Sequence, residues 1–383
     1  MTPTERAISL LRRVLQANTV NPPGNELEAA RILHDFFREN GIEAEIDEFL
    51  PGRATLLARL PGAGRSGRPL VFCGHMDVVP AGGAAWDGDP FGAEVRSGRI
   101  YGRGASDMKS GLVAMAVAMA NLKHSGAATG EVLLAATAGE EVDCCGARRF
   151  VESGTFENAG AVVIAEPTRE DVVLAHKGAL WVEVTTRGKT AHGSMPEEGV
   201  NAIVHMHHLL GRLLEKFRFA GEPDPALGAP TLSVNRVDGG VKVNVVPDEC
   251  RLQIDLRTVP SQDAGILKDI RRHLDTVREE VPALDYELEL LQERAPVRTP
   301  ADDAFARICE DLREEAYGSP SSRSAAPYYT DASILVATLP DLPVVIFGPG
   351  DDRLAHQPNE WVSVEAFGRS IDFYGRLVAG YSG

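Results

Sequence analysis

Leu70-Val71-Phe72-Cys73-Gly74-His75-Met76-Asp77 carries the clearest sign of how this chain folds. Its first four residues are apolar without alternation. A strand of that kind buries both faces, as strands do in a sheet covered by helices on two sides. The run then breaks into glycine, histidine and aspartate, so polar chemistry starts where the strand stops. In open α/β sheets that edge is where ligands bind.

The pattern repeats along the chain. Val132-Leu133-Leu134-Ala135-Ala136 leads to Gly139-Glu140-Glu141, and Ala161-Val162-Val163-Ile164-Ala165 leads to Glu166-Pro167-Thr168. Leu342-Pro343-Val344-Val345-Ile346-Phe347 leads to a loop that ends at Ala355-His356. Between these runs, Thr4 to Ala17 and Glu26 to Asn40 carry apolar residues at helical spacing, and the Ala- and Met-rich Ser110 to Leu122 reads as a buried helix. Asn21-Pro22-Pro23-Gly24-Asn25 is a loop. The fold class expected is α/β, with a mixed, mostly parallel sheet sandwiched by helices.

The middle of the chain differs. From Gly178 to Leu291 it reads strand, helix, strand, strand, strand, helix, strand. The strands are Leu180 to Thr186, Thr231 to Val237, Val241 to Val246, Glu249 to Arg257 and Asp285 to Leu291. The helices are Asn201 to Phe217 and Ile266 to Glu280. Asp238-Gly239-Gly240 is read as the turn between the second and third strands. This is a small α+β, ferredoxin-like domain inserted into the larger one. The expected boundaries are 1–177 and 294–383 for the catalytic domain and 178–293 for the insert.

A length of 383 residues suits two cores better than one. The net charge of −16 argues against nucleic acid or an anionic membrane as partner. No apolar run approaches the roughly 20 residues of a membrane helix. The start, Met1-Thr2-Pro3-Thr4-Glu5-Arg6, lacks the basic-then-apolar pattern of a secretory signal. Five cysteines, an odd number, suggest a reducing compartment, and a cytoplasmic location is expected.

The polar motifs suit oxygen and nitrogen ligation of a divalent metal. His75 and Asp77 are two apart at a strand end, so both side chains share one face. A ligating imidazole commonly gives its other N–H to a carboxylate. His75 is therefore read as ligand and Asp77 as the carboxylate behind it. Asp107, in Gly104-Ala105-Ser106-Asp107-Met108-Lys109, sits on a Gly-rich turn with no Gly-Lys-Ser/Thr ending, which excludes a phosphate loop. Its two oxygens suit a bridge between two metals. Glu140, Glu141 and Glu166 follow buried strands, where uncompensated carboxylates would repel and be driven neutral. With Asp107 they bring four negative charges, which two divalent cations balance.

Taken together, these motifs resemble the M20 metallopeptidases, in particular the deacylase branch that includes acetylornithine deacetylase, succinyl-diaminopimelate desuccinylase and aminoacylase-1. The resemblance runs nearly end to end. It implies a zinc-exopeptidase-like catalytic domain and a lid and dimerisation domain. It implies one metal on His75, Asp107 and Glu166, and a second on Asp107, Glu141 and His356. Zinc is the expected ion, with cobalt or manganese as alternatives. Glu140 would be the general base, and the Asp107–Met108 peptide would be cis. His192 would help hold the oxyanion, often from the partner subunit of a homodimer. Asn244 would approach the same site, and Arg257 would grip the substrate carboxylate.

Three departures bear on substrate. Gly139 stands where the family usually has an acidic residue. Ala179-Leu180-Trp181 lacks the arginine typical of desuccinylases. Tyr329-Thr330-Asp331-Ala332-Ser333 is similar to the deacetylase side. Arg323 could restore a positive charge. The expected activity is removal of an acyl group from an N-acyl-amino acid by metal-activated water. A dipeptidase or carboxypeptidase, a succinyl-diaminopimelate desuccinylase, and a non-enzymatic binding protein of the same fold are the other readings. The expected partners are a small N-acyl amino acid or short peptide and a second copy of the chain. His205, His207 and His208 are read as packing or interface residues.

Overall fold

A computed structural model describes residues 2–62, 67–261 and 265–381, and divides the chain into two compact units. The first comprises residues 1–175, 297–326 and 330–383, and the second residues 176–296 and 327–329.

The first unit is built on a six-stranded sheet in the order Glu43–Leu50, Arg53–Leu60, Val132–Thr137, Leu70–His75, Ala161–Ile164, Val344–Ile346. The last four are mutually parallel. The first two form an antiparallel hairpin that joins the sheet through Val132–Thr137. Every residue of Leu70–His75, Val132–Thr137 and Ala161–Ile164 is buried. Such strands have both faces covered, which is why their sequences are apolar without alternation. The outer strand of the hairpin, Glu43–Leu50, is rich in charge and has no fully buried residue, so it gives a weaker signal. The sequence reading left it out, as it did the helices Ala304–Tyr317 and Val364–Gly380.

The helix Lys109–Ser125 is buried along nearly its whole length, so its periodicity is weak and its composition is small. Gly111 explains one part of that composition. A Cβ there would stand 2.1 Å from the carbonyl oxygen of Ala165, so only glycine lets this helix lie against the strand end that carries Glu166. Lys109, at the helix start, is buried and donates from Nζ to the carbonyls of Val14 and Ala17 at 3.1 and 2.9 Å. It thereby ties the end of helix Pro3–Gln16 to the start of this one.

The second unit is a four-stranded antiparallel sheet in the order Thr231–Gly239, Glu249–Thr258, Gly178–Arg187, Asp285–Arg294, with helices Ala202–Lys216 and Ile266–Glu280. Leu252, Ile254 and Leu256 alternate inward from the strand and share a core with Leu209, Leu213, Ile270 and Leu274 of the helices. One expected strand is absent. Residues 241–246 form the loop of a hairpin, because pairing runs on to Gly239 opposite Cys250. Val241 and Val243 are 83% and 103% exposed. Their apolar alternation has no sheet to face, and Gly240, at φ 79°, turns the chain away from the ladder.

All five cysteines are free thiols. Among the described residues no helix is long and apolar enough to cross a membrane.

Candidate metal centre

The carboxyl ends of the parallel strands bring seven of the ten singled-out residues together. His75 ends one strand. Glu140 and Glu141 follow the next through Gly139, whose φ of 77° lets the chain fold back so that its carbonyl accepts from the N–H groups of Val142, Asp143 and Cys144. Glu166 follows the third, and His356 arrives on the loop after the fourth.

His75 is 1% exposed. Its Nδ1 lies 2.9 Å from the main-chain carbonyl of Asp77, and as a donor there it leaves the Nε2 lone pair facing the cluster. The Asp77 carboxylate stands farther off, at 3.7 Å from Nδ1. Asp77 thus faces His75 Nδ1 with its carbonyl at hydrogen-bond distance and its carboxylate within ion-pair reach. The carboxylate accepts from Asn21 Nδ2 at 2.9 Å and from the main-chain N–H groups of Glu140 and Glu141 at 3.2 and 3.3 Å.

Asp107 sits between the two histidines. Its Oδ1 is 3.2 Å from His75 Nε2, and its Oδ2 is 3.5 Å from His356 Nε2. Glu166 Oε1 is 3.6 Å from His75 Nε2, and both oxygens of Glu141 are 3.1–3.2 Å from His356 Nε2. Ligand atoms of His75, Asp107 and Glu141 lie within 4.8 Å of one another, as do those of His75, Glu140 and Glu166. The Asp107–Met108 peptide is trans; among the described residues the cis bonds are Asn21–Pro22 and Pro22–Pro23. Trans is the form a non-proline bond prefers by about 3 kcal/mol, and Asp107 meets both histidines without departing from it.

The electrostatics follow from crowding carboxylates in a dry place. Burial, with neighbouring Glu166, raises Glu140 well above the usual carboxylate range. Burial and Asp107 do the same to Glu166, and raise Glu141 to a lesser degree. His75 shows the opposite balance: burial disfavours its charged ring, but Asp107, Glu166 and the other acids outweigh it and raise its pKa. Asp331, buried beneath this group and accepting from Thr137 Oγ1 at 2.6 Å, is pushed up to about 6. Two imidazole nitrogens and an excess of converging carboxylates form the donor set of a hard or borderline divalent ion, and bound cations would relieve the repulsion. The residues present therefore fit the metal centre that their types suggest.

The other three candidates lie in the second unit. Gly193 N–H donates to the carbonyl of Asn244 at 2.8 Å, and His192 bridges Val245, so His192 and Asn244 are neighbours. His192 is exposed, with Nδ1 2.7 Å from Ser194 Oγ. Arg257 donates to Asp255 Oδ2 at 3.0 Å and stacks 5.6 Å over Tyr329. His205 is buried, and His207 and His208 are exposed with rings 5.6 Å apart.

Asn21 and Glu360 were missed by sequence reading. Asn21 bonds to Asp77, as above. Glu360, fully buried, accepts from the turn that carries Asp107. Neither residue type is a telling signal in a loop, and each meets its partner across a long stretch of chain.

Comparison with known proteins identifies the family. The model of peptidase family M20/M25/M40 matches residues 71–380. The chain is 30% identical to a probable succinyl-diaminopimelate desuccinylase from Staphylococcus epidermidis over 402 residues, covering 98% of this chain and 97% of that one. It is 32% identical to an acetylornithine deacetylase from Myxococcus xanthus over 355 residues, covering 90% and 89%. Its fold is similar to that of an M20 family metallo-carboxypeptidase from Sulfolobus solfataricus, with a TM-score of 0.81, 21% identity and coverage of 100% and 99%. The chain belongs to the M20/M25/M40 peptidase family and is a metal-dependent hydrolase.

Proposed function

We propose that the protein removes an acyl group from an N-acyl-amino acid at a centre of two divalent ions. The observation that carries this reading is Asp107, with one carboxylate oxygen towards His75 and the other towards His356. His75, Asp107 and Glu166 would hold one ion, and Asp107, Glu141 and His356 the other. When bound, such ions supply positive charge that polarises a carbonyl and lowers the pKa of water to about 7. Zinc is the ion proposed, with cobalt or manganese as alternatives.

Glu140 is assigned the proton chemistry. Its main-chain N–H is anchored on Asp77, and its carboxylate stands among the ligand atoms. A carboxylate so placed suits a group that takes a proton from water and returns it to the leaving amine. His192 and Asn244 are assigned to the oxyanion, and Arg257 to the carboxylate of the amino-acid part. The insert, residues 178–293, is read as a lid and dimerisation domain, the protein as a homodimer, and its location as cytoplasmic, in keeping with free thiols.

The relatives' names divide between succinyl and acetyl substrates. Arg323, the cation that would serve a succinyl carboxylate, donates to Asp352 Oδ2 at 2.7 Å and to the Pro167 carbonyl at 3.3 Å.

The test is primary-amine release by protein loaded in turn with zinc, cobalt and manganese. N-acetyl, N-formyl and N-succinyl amino acids are set against unblocked dipeptides. Turnover of N-acetyl or N-formyl compounds alone supports this reading. Turnover of dipeptides alone replaces it with an exopeptidase.

A further inference from the structure

Asp107 and His356 are far apart in sequence, and both come from loops rather than from regular elements. A bridging ligand held on a loop needs its main chain fixed, because a carboxylate misplaced by about 1 Å loses one of its two partners. Glu360 lies at this junction. It is fully buried, with a relative exposure of 0%.

Each of its carboxylate oxygens accepts two hydrogen bonds. Oε1 receives the main-chain N–H of Ser106 at 2.7 Å and of Asp107 at 2.9 Å. Oε2 receives Arg103 Nη1 at 2.6 Å and the main-chain N–H of Gly104 at 3.1 Å. The main-chain carbonyl of Glu360 accepts a further bond from Gly102 N–H at 3.0 Å. One residue therefore gathers the turn from Gly102 to Asp107. The same contact ties down the loop that presents His356. Arg103 Nη1 also reaches the carbonyl of Gln357 at 3.3 Å, and Ser106 Oγ exchanges bonds with the main chain of Asp351 at 2.7 and 2.8 Å.

We infer that Glu360 is a positioning residue for the metal centre: its carboxylate fixes the Asp107 turn against the His356 loop, so that one aspartate can serve both ions. The inference rests on the reading of Asp107 as the bridging ligand. A carboxylate is needed because all four donors point inward and only an acceptor with no hydrogen of its own satisfies them. Glutamine would turn an NH2 group towards N–H donors. Aspartate keeps the charge opposite Arg103 but falls short of the turn.

The test is calorimetric titration of zinc and cobalt into the metal-free full-length protein, for wild type, Glu360→Gln and Glu360→Asp. Melting temperatures of the metal-free forms and the visible absorption of the cobalt forms are recorded alongside. Wild type is expected to take two ions per chain. Both variants are expected to lose roughly 10–100-fold in affinity, as removal of groups that orient ligands commonly does, with an altered cobalt spectrum. Affinity, stoichiometry and spectrum unchanged in either folded variant would overturn the inference, even if the melting temperature fell. Failure of both variants to fold would also overturn it, by making Glu360 a residue of the fold alone. Wild type taking fewer than two ions would instead remove the dinuclear reading on which the inference stands.

Discussion

The carboxylate of Asp77 holds the main chain of Glu140: its Oδ1 accepts the Glu140 N–H at 3.2 Å, and its Oδ2 accepts the next N–H along and the Asn21 side chain. The strand end that supplies His75 thereby also sets the position of the residue assigned as base. The carbonyl of Asp77 lies 2.9 Å from His75 Nδ1, and its carboxylate 3.7 Å. One residue thus serves two neighbours.

Substituting Asp77→Asn places an NH2 group where three donors converge. Activity is expected to fall roughly 10–100-fold, the usual cost of disturbing groups behind a metal centre. Asn21→Ala, which removes one donor and leaves the other two, is expected to cost less. Steady-state kinetics on both variants, with metal content measured, checks the order.

Glu140→Ala is expected to retain metal and lose roughly 10²–10⁴-fold in kcat, the range general acid–base catalysis contributes. Near-native turnover with full metal would show that the base is elsewhere.

His192→Ala is expected to lower kcat by roughly 10²–10³-fold, as loss of an oxyanion donor does, with metal content unchanged. Activity equal to wild type would remove His192 from the reaction.

Removing metal with a chelator is expected to abolish turnover and lower the melting temperature, because the clustered acids lose their counter-charge. Ligand held at 1,000 times its Kd stabilises a fold by about 4 kcal/mol. Calorimetry with and without zinc measures the shift, and restored activity on adding metal back checks reversibility.

Gly111→Ala is expected to destabilise the protein by about 1–3 kcal/mol, the usual effect of overpacking. The added methyl would meet the Ala165 carbonyl at 2.1 Å. Because Glu166 is the next residue, metal affinity is expected to fall with stability, which chemical denaturation and metal titration together detect.

The buried strands were legible because their apolar runs have a single physical use, and the polar motifs stood out because they interrupt those runs. His75, Glu140, Glu141 and Glu166 stood out on that basis, Asp107 by its Gly-rich turn, and the role of His356 came from the resemblance to the M20 family. The strand Glu43–Leu50 lies at the sheet edge, where burial demands less of the sequence, and it went unread, as did Arg53–Leu60, which is paired on both sides and mostly buried. Residues 241–246 alternate like a strand but form a loop, since alternation does not say whether a partner strand is within reach.

Residue chemistry and burial periodicity are local properties, so the groups present and the buried parallel strands that gather them could be read from the chain. It takes the folded chain to show that the carbonyl of Asp77 lies nearer His75 than its carboxylate does, and that Asn21 and Glu360 brace the centre from loops distant in the chain. Hydrogen bonds depend on distances of a few tenths of an ångström between segments that sequence spacing does not relate. Nothing in a run of residues encodes which buried acceptor lies opposite which N–H until the chain has folded.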